Sequence, residues 1–175
     1  TNLSDERQTV YAKVLSQQTR DGQLYTSLLF VEVDPADYTR HILKKEYEVQ
    51  GDVVHFDMLM VTFGKDLVRD GTERAMYLWR RVYGEKMTPE QGFPIETIGS
   101  PSPRYTQLSE KLSIEDRQLF WDEIWKLSNN PQRLEHLGIK AIYGNVVYRQ
   151  LKPGLIYVFK VSNTGAITPE IIPDL

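Results

Sequence analysis

The dipeptide Asp21-Gly22 separates two runs of strand-forming residues, TVYAKVLSQQ and QLYTSLLFVEV. An Asp-Gly pair accepts the positive φ angles of a type I′ turn, so the two runs are predicted to form an antiparallel hairpin. Counting outward from the turn without interruption gives two apolar faces. One is predicted to carry Val10, Ala12, Val14, Tyr25, Leu29, Val31 and Val33. The other is predicted to carry Tyr11, Leu15, Leu28 and Phe30, so both faces need a cover, inside a barrel or beneath helices.

A second hairpin is predicted around Gly51-Asp52, between HILKKEYEVQ and VVHFDMLMVTF. Glycine in the first turn position suits a type II′ turn. The resulting register predicts a core face interrupted only by Lys45. Its apolar members are Leu43, Tyr47, Val49, Val54, Phe56, Met58 and Met60. The opposite face is polar and collects Glu46, Glu48, His55 and Asp57.

From about Asp70 the apolar residues recur at spacings of three and four, which predicts a helix that ends near Gly84. Its inner stripe is Ala75, Met76, Trp79, Val82 and Tyr83. A second helix is predicted over residues 113–130, with Ser113 as its N-cap. Asn130-Pro131 predicts the start of a short third helix that ends at Leu137-Gly138, with Leu134 and Leu137 facing inward.

Residues 85–103 contain four prolines and show no usable periodicity. A connection of this length is typical of a lid, a strap over the core or a linker, and all three remain open. The chain then returns to strand patterns, IKAIY, VVYRQL, LIYVFKV and AITPEII. The predicted turns between them are Gly144-Asn145, Pro153-Gly154 and Asn163-Thr164-Gly165.

Strands, then helices, then strands indicate an α+β fold. We expect one domain over residues 1–175, with a mostly antiparallel curved sheet or partial barrel and three to four central helices packed on it. The N-terminal β-meander spans residues 8–63, the helical middle 70–137 and the C-terminal strands 139–172.

Composition excludes several kinds of site. The chain of 175 residues has no cysteine, so disulfides, thiolate nucleophiles and cysteine-bound metals are absent. A formal net charge of −3 argues against a general nucleic-acid binder. No apolar run is long enough to span a bilayer as a helix. The chain starts at Thr1 rather than methionine, so an upstream signal or membrane anchor is an open expectation, and an extracytoplasmic, membrane-tethered location is favoured over a cytoplasmic one.

The polar face of the second hairpin is the first candidate site. In the predicted register Glu48 lies opposite His55 and Glu46 opposite Asp57, so an imidazole and three carboxylates share one face. Such a group could hold a divalent metal or perform acid–base chemistry. The alternative is a solvated sheet face on which Glu48 pairs with His55 and Lys44 screens Glu46.

The outer side of the predicted helix from Asp70 is the second candidate. It presents Arg74, Tyr77, Arg80 and Arg81, and it leads into the proline-rich segment that contains Phe93. Arginine and tyrosine are favoured in binding interfaces, and guanidinium groups also bind phosphate. Nearby acidic residues dilute the positive charge, which favours a protein or small-ligand surface over a nucleic-acid surface.

The sequence therefore predicts a non-enzymatic binding or assembly module for a protein partner or small ligand, with no cofactor. A role as the soluble part of an anchored bacterial envelope protein is an open expectation. The alternative is a small hydrolase or lyase that uses Glu46, Glu48, His55 and Asp57, with or without a divalent metal. The third hypothesis is a weak phosphate or nucleic-acid binder that uses the helix face from Arg74 to Arg81.

Overall fold

The computed structural model describes residues 7–34, 36–71, 74–96, 131–162 and 167–175, and the single positions 110, 113, 124 and 126. Nine strands are described: β1 (Arg7–Arg20), β2 (Gln23–Asp34), β3 (Asp37–Gln50), β4 (Val54–Phe63), β5 (Arg74–Gly84), β6 (Phe93–Pro94), β7 (Ile139–Tyr148), β8 (Leu155–Ser162) and β9 (Ile167–Pro173). They form a five-stranded sheet of order β3-β2-β1-β8-β9 and a four-stranded sheet of order β6-β5-β4-β7. All pairs are antiparallel.

Helices contribute little to the part of the chain that the structure describes. They comprise two 3-10 turns, Lys65–Leu67 and Pro89–Gln91, the six-residue helix α1 (Pro131–His136), and isolated helical positions at 110, 124 and 126. None of these helices is long and apolar enough to cross a membrane. The predicted α+β fold with three to four helices is therefore wrong, because the protein is a sandwich of two antiparallel sheets. The predicted helix over 113–130 falls almost entirely outside the described residues.

The segment predicted as the first helix is strand β5, and a β-bulge explains the error. Met76 and Leu78 belong to one apolar cluster, whereas Tyr77, Trp79 and Val82 belong to another on the opposite face. The register against β4 shifts between Asp57 and Met58, so one extra residue is inserted in β5. Because of this insertion, Trp79 and Val82 on the same face are three positions apart, a spacing that is also typical of a helix. The aromatic residues of the segment are themselves favoured in strands.

The two sheets pack face to face on an aromatic core. The ring of Phe159 on β8 lies 5.4 Å from Phe56 and 5.0 Å from Trp79, measured between centroids. Phe30 on β2 lies 5.5 Å from Trp79. Phe56 and Trp79 come from the four-stranded sheet and Phe30 and Phe159 from the five-stranded sheet, so this cluster joins the two layers. All four side chains are at most 1% exposed.

The first hairpin is confirmed, but its side chains are not divided between the two faces of the sheet as predicted. Asp21 and Gly22 have φ angles of 51° and 77°, and Arg20 pairs with Gln23. A bulge at Leu15 then shifts the register, so Val14 pairs with Leu28. The face that packs on the other sheet consequently combines Val10, Ala12 and Val14 with Leu28 and Phe30. The separate cluster of Leu29, Val31 and Val33 lies on the outer face of the same sheet, so both faces of β2 are buried.

The predicted second hairpin is wrong, because β3 and β4 lie in different sheets. The chain crosses from one sheet to the other at Gly51, whose φ of 93° suits glycine. Three hydrogen bonds hold the crossing: Gly51 N–H donates to Leu24 O at 2.7 Å, Thr26 Oγ1–H to Gly51 O at 2.6 Å, and Leu151 N–H to Asp52 O at 2.9 Å. A crossing of this kind replaces the predicted II′ turn.

Helix α1 stops before Gly138, whose φ is 78°, as predicted, whereas the residues that precede Pro131, where the sequence predicts its start, lie outside the described residues. Leu134 is buried as expected, but Leu137 is 48% exposed, so its predicted inward position is wrong. The predicted turn at Gly144-Asn145 is also wrong, because β7 runs through it without interruption. The predicted turn at 163–165 lies outside the described residues.

Residues 85–96 act as a strap along the edge of β5. Strand β6 pairs with Arg81 and Val82, and Ile95 is fully buried in the core. Lys45, the predicted interruption of the core face, donates its Nζ to Ile95 O and so ties the strap to β3. Residues 97–103, the rest of the predicted loop, lie outside the described residues.

The described residues cover only part of the outer face of the four-stranded sheet. Towards one end of β4, Leu59, Val61 and Phe63 pack with Leu134 of α1 and with Ile124. Towards the other end, the outward side chains are His55 and Asp57, both partly exposed. The sheet therefore divides into a covered apolar region and an open polar region.

We expect Phe159→Ala to lower the free energy of unfolding by about 3–5 kcal/mol, because it leaves a cavity between the two sheets. The matched control is Ile171→Ala on the neighbouring edge strand, where the side chain is 56% exposed. The control should change stability by less than about 0.5 kcal/mol. Urea unfolding of both variants tests this, and similar losses for the two would contradict the proposed core.

Candidate functional site

The four residues of the first candidate site do not come together. Glu46 and Glu48 are exposed on β3 of the five-stranded sheet, whereas His55 and Asp57 lie on β4 of the other sheet. Glu48 forms an ion pair with Arg20 at 2.5 Å. Across the described ranges, no three histidine or carboxylate side chains are close enough to hold a metal ion.

The residues of the second candidate site are also separated from one another, because the segment predicted as a helix forms strand β5. Tyr77 is 2% exposed and belongs to the core between the sheets. The side chain of Arg74 lies outside the described part of the chain. Phe93 is 39% exposed at the edge of the sandwich, where its ring stacks on Tyr47 at 6.0 Å. Phe93 lies on β6, which β5 separates from β4, so it is not part of the outer face of β4.

Arg80 and Arg81 remain together on the outer face, and the bulge in β5 is the reason. Normal alternation would send consecutive side chains to opposite faces, but the extra residue turns both outward. The Arg80 guanidinium lies over the Tyr143 ring of β7, 4.7 Å from its centroid. Arg81 turns towards the strap, where its Nη1 donates to Pro89 O at 2.8 Å.

Asp57 lies at the centre of a group of polar side chains from three strands. It pairs with Arg81 on β5 and with Asn145 on β7, while the adjacent outward residue His55 pairs with Tyr83. We call His55, Asp57, Arg81, Tyr83 and Asn145 the outer polar patch. The alternation of each strand turns these side chains outward while their neighbours Phe56, Val82 and Val146 face the core.

One side-chain amide holds most of the outer polar patch in place. Asn145 Nδ2 donates to Asp57 Oδ1 at 2.5 Å and to the Tyr83 hydroxyl at 3.2 Å. The Tyr83 hydroxyl in turn donates to Asp57 Oδ1 at 3.3 Å. Each contact restricts the rotamers of its partners, so the carboxylate of Asp57 is oriented before any ligand arrives.

The same amide determines the proton position on His55. Because Asn145 Nδ2 donates to the carboxylate, its Oδ1 is the atom that faces His55 Nδ1, at 3.3 Å. An amide oxygen only accepts, so His55 Nδ1 carries the hydrogen and Nε2 of the neutral ring is an acceptor. The imidazole also stacks on the Tyr83 ring, with centroids 4.7 Å apart and planes 1° from parallel.

The phenol of Tyr83 stays protonated in this setting. Burial, which leaves the side chain 9% exposed, is the main cause that raises its pKa above the usual value. The charge of Asp57 and the hydrogen bond to it raise the pKa further, while Asn145 and Arg81 act in the opposite direction. Tyr83 is therefore a donor to Asp57 at neutral pH.

Several polar atoms of the outer polar patch remain open to a ligand. Asp57 Oδ2 and His55 Nε2 have no hydrogen-bond partner in the described part of the protein, and the same holds for the N–H groups of Arg81 other than Nη1. Two exposed apolar side chains flank Asn145 along β7, Tyr143 at 47% and Val147 at 37% exposure. The arrangement offers fixed acceptors, fixed donors and an apolar margin.

Sequence reasoning identified His55, Asp57 and Arg81 but missed Tyr83 and Asn145. Asn145 follows glycine and was interpreted as a turn, and Tyr83 was assigned to the inner stripe of a helix. The signal that could have found Asn145 is the alternation of Tyr143, Asn145 and Val147, if IKAIYGNVVY is taken as one strand.

We expect Asp57→Asn to lower the pKa of Tyr83, because the substitution removes the negative charge that opposes ionisation. Burial is unchanged, so the pKa should still exceed the ordinary value. NMR of the Tyr83 ring carbons as a function of pH measures it. The control Glu48→Gln, on the other sheet, should leave that titration unchanged, and an equal shift in both variants would contradict the contact.

The raised pKa of Tyr83 also predicts how stability depends on pH. The folded state holds the phenolic proton more tightly than the unfolded chain, whose tyrosine has a pKa of about 10. The stabilisation is thus complete below pH about 10 and is lost as the pH rises through the folded-state pKa. In urea unfolding above pH about 10, Asp57→Asn should lose less stability than the parent, and an equal loss would count against this linkage.

Comparison with known proteins gives no match to any protein family model, curated protein or solved structure.

Proposed function

We propose that the protein is a non-enzymatic binding module that takes a small polar ligand on the outer polar patch. The observation that carries this proposal is the hydrogen-bond network around Asn145, which joins β4, β5 and β7. It orients Asp57 and His55 and leaves their outward atoms, Oδ2 and Nε2, without partners among the described residues. Groups that are ordered in advance lose little entropy when they bind, which favours affinity for a small molecule.

The size of the open surface favours a small ligand over a protein partner. Neighbouring strands lie about 4.8 Å apart, and side chains on one face repeat every ~7 Å along a strand, so the two rows of the outer polar patch on three strands cover about 200 Å². A stable protein interface needs about 800 Å² on each side. Beyond these rows the same face is occupied by the buried cluster of Leu59, Val61 and Phe63.

The arrangement supports binding more than acid–base chemistry. The hydrolase alternative needed Glu46 and Glu48 beside His55 and Asp57, and these pairs lie on different sheets. His55 and Asp57 contact opposite ends of the Asn145 amide rather than each other. An amide cannot relay a proton at neutral pH, so this bridge serves to position the two side chains.

NMR mapping of the full chain with five small probes tests the site without assuming a ligand. The probes are glycerol, acetate, inorganic phosphate, imidazole and phenol, each titrated separately. We expect at least one polar probe to shift the amide signals of His55, Asp57 and Asn145 together and saturably. Asn145→Ala should abolish this response because it removes the network, and the exposed control Glu46→Ala should preserve it.

Two outcomes would overturn the proposed function. The first is that all probe responses fall elsewhere, for example in the cleft of about 270 Å³ beside α1 that is lined by Gly64, Glu135 and Lys140. The second is Asp57-dependent hydrolysis of p-nitrophenyl acetate or p-nitrophenyl phosphate, which would make the site catalytic. Thermal unfolding of each variant checks that a lost response does not come from a lost fold.

A further inference from the structure

We propose that the ligand of the outer polar patch is a neutral carbohydrate. This inference rests on the proposed function and adds the chemical class of the ligand. It depends on three properties of the same surface: its balanced charge, the kinds of open polar atoms, and the apolar side chains beside them.

The charges of the outer polar patch favour a neutral ligand. Asp57 lies at its centre, and its unpaired Oδ2 would repel a phosphate or carboxylate placed there. Arg81, which pairs with Asp57 across the strands, would in turn disfavour a cation. One negative and one positive group therefore lie on adjacent strands, so neither sign of ligand charge is favoured at Asp57 and Arg81. The second arginine of this face, Arg80, lies over the Tyr143 ring.

The open polar atoms match hydroxyl groups. Asp57 Oδ2 is an acceptor, His55 Nε2 is an acceptor in the tautomer that the Asn145 amide oxygen selects, and the remaining N–H groups of Arg81 are donors. A hydroxyl group both donates and accepts, so a row of hydroxyls on neighbouring carbons can satisfy acceptors and donors that stand side by side. A ligand with only one type of group would leave part of the patch unpaired at a cost in binding free energy.

Exposed apolar side chains provide contact area next to these polar atoms. Tyr143 and Val147 lie on β7 on either side of Asn145, each ~7 Å from it along the strand. A sugar ring has hydroxyls around its edge and C–H groups on its faces, so it needs both kinds of contact at once. The Arg80 guanidinium lies over the Tyr143 ring, and the exposed remainder of this 47% exposed side chain supplies apolar area with few rotatable bonds, which keeps the entropy cost of binding low.

The test is a titration of the full chain with maltotriose, cellotriose and chitotriose, each alone, followed by NMR of the backbone amides. We expect at least one trisaccharide to shift the signals of Asp57, Arg81 and Asn145 saturably. Asp57→Ala should weaken that binding at least about tenfold, because it removes a charged acceptor. Tyr143→Ala should also weaken it, while the exposed control Glu46→Ala on the opposite sheet should bind like the parent chain.

Further binding experiments distinguish polymeric from free carbohydrate and carbohydrate from other classes of ligand. Pull-down on insoluble starch, cellulose and chitin shows whether a polymer carries the sugar, while the trisaccharides report free oligosaccharide. Inorganic phosphate and adenosine are the class controls. Stronger shifts with either control than with any trisaccharide would overturn the inference, and so would trisaccharide binding that survives Asp57→Ala.

Failure of this inference is distinguishable from failure of the proposed function. If no trisaccharide binds but the five small probes still map to the outer polar patch, the carbohydrate class is wrong and the binding site stands. If neither set of probes reaches the patch, both proposals fall. Thermal unfolding of Asp57→Ala and Tyr143→Ala confirms that each variant is folded before its binding is compared.

Discussion

The aromatic contact between the two sheets is the interaction on which the rest of the structure depends. Phe159 and Phe30 come from one sheet and Phe56 and Trp79 from the other. The ring centroid of Phe159 lies 5.0–6.4 Å from those of the other three rings, and the centroids of Phe30 and Trp79 lie 5.5 Å apart. An isolated sheet of this size would leave one apolar face in water, so the layers stabilise each other. Phe56 also fixes β4, which carries His55 and Asp57 on its opposite side.

Two bulges decide which side chains reach that contact and which reach the surface. The bulge at Leu15 places Val10, Ala12 and Val14 on the same face as Leu28 and Phe30. The bulge in β5 turns Arg80 and Arg81 to the same outer face. A shift of one residue inverts every side chain beyond it, so a local irregularity has consequences along the whole strand.

These bulges also mark the limit of what the sequence could predict. The Asp21-Gly22 turn and the end of α1 follow from local backbone preferences, and both agree with the sequence predictions. The bulge in β5 could not be read locally, because the spacing of Trp79, Val82 and Tyr83 is typical of a helix. The crossing at Gly51 was missed for a different reason: glycine permits a II′ turn and an inter-sheet crossing equally, and long-range hydrogen bonds decide between them.

The candidate site shows the same division between local and long-range information. His55 and Asp57 were recognisable as outward polar residues of a strand, since their apolar neighbours Val54, Phe56 and Met58 alternate with them. Their partners were not recognisable, because they lie at distant positions in the chain that only the sheet order brings together. Asn145 lies 88 residues from Asp57 in the sequence, yet its amide orients the carboxylate.

The position of β4 between β5 and β7 explains why the outer polar patch can be rigid on an exposed surface. A strand inside a sheet is held on both sides by backbone hydrogen bonds, and its inward residues Phe56 and Met58 are fully buried. The outward residues between them therefore have a fixed backbone, and the remaining freedom is in their side-chain torsions. Asn145 and Tyr83 restrict those torsions from the two flanking strands. The sandwich thus supplies the backbone order and the cross-strand network supplies the side-chain order, so the proposed ligand would meet atoms whose positions are already determined.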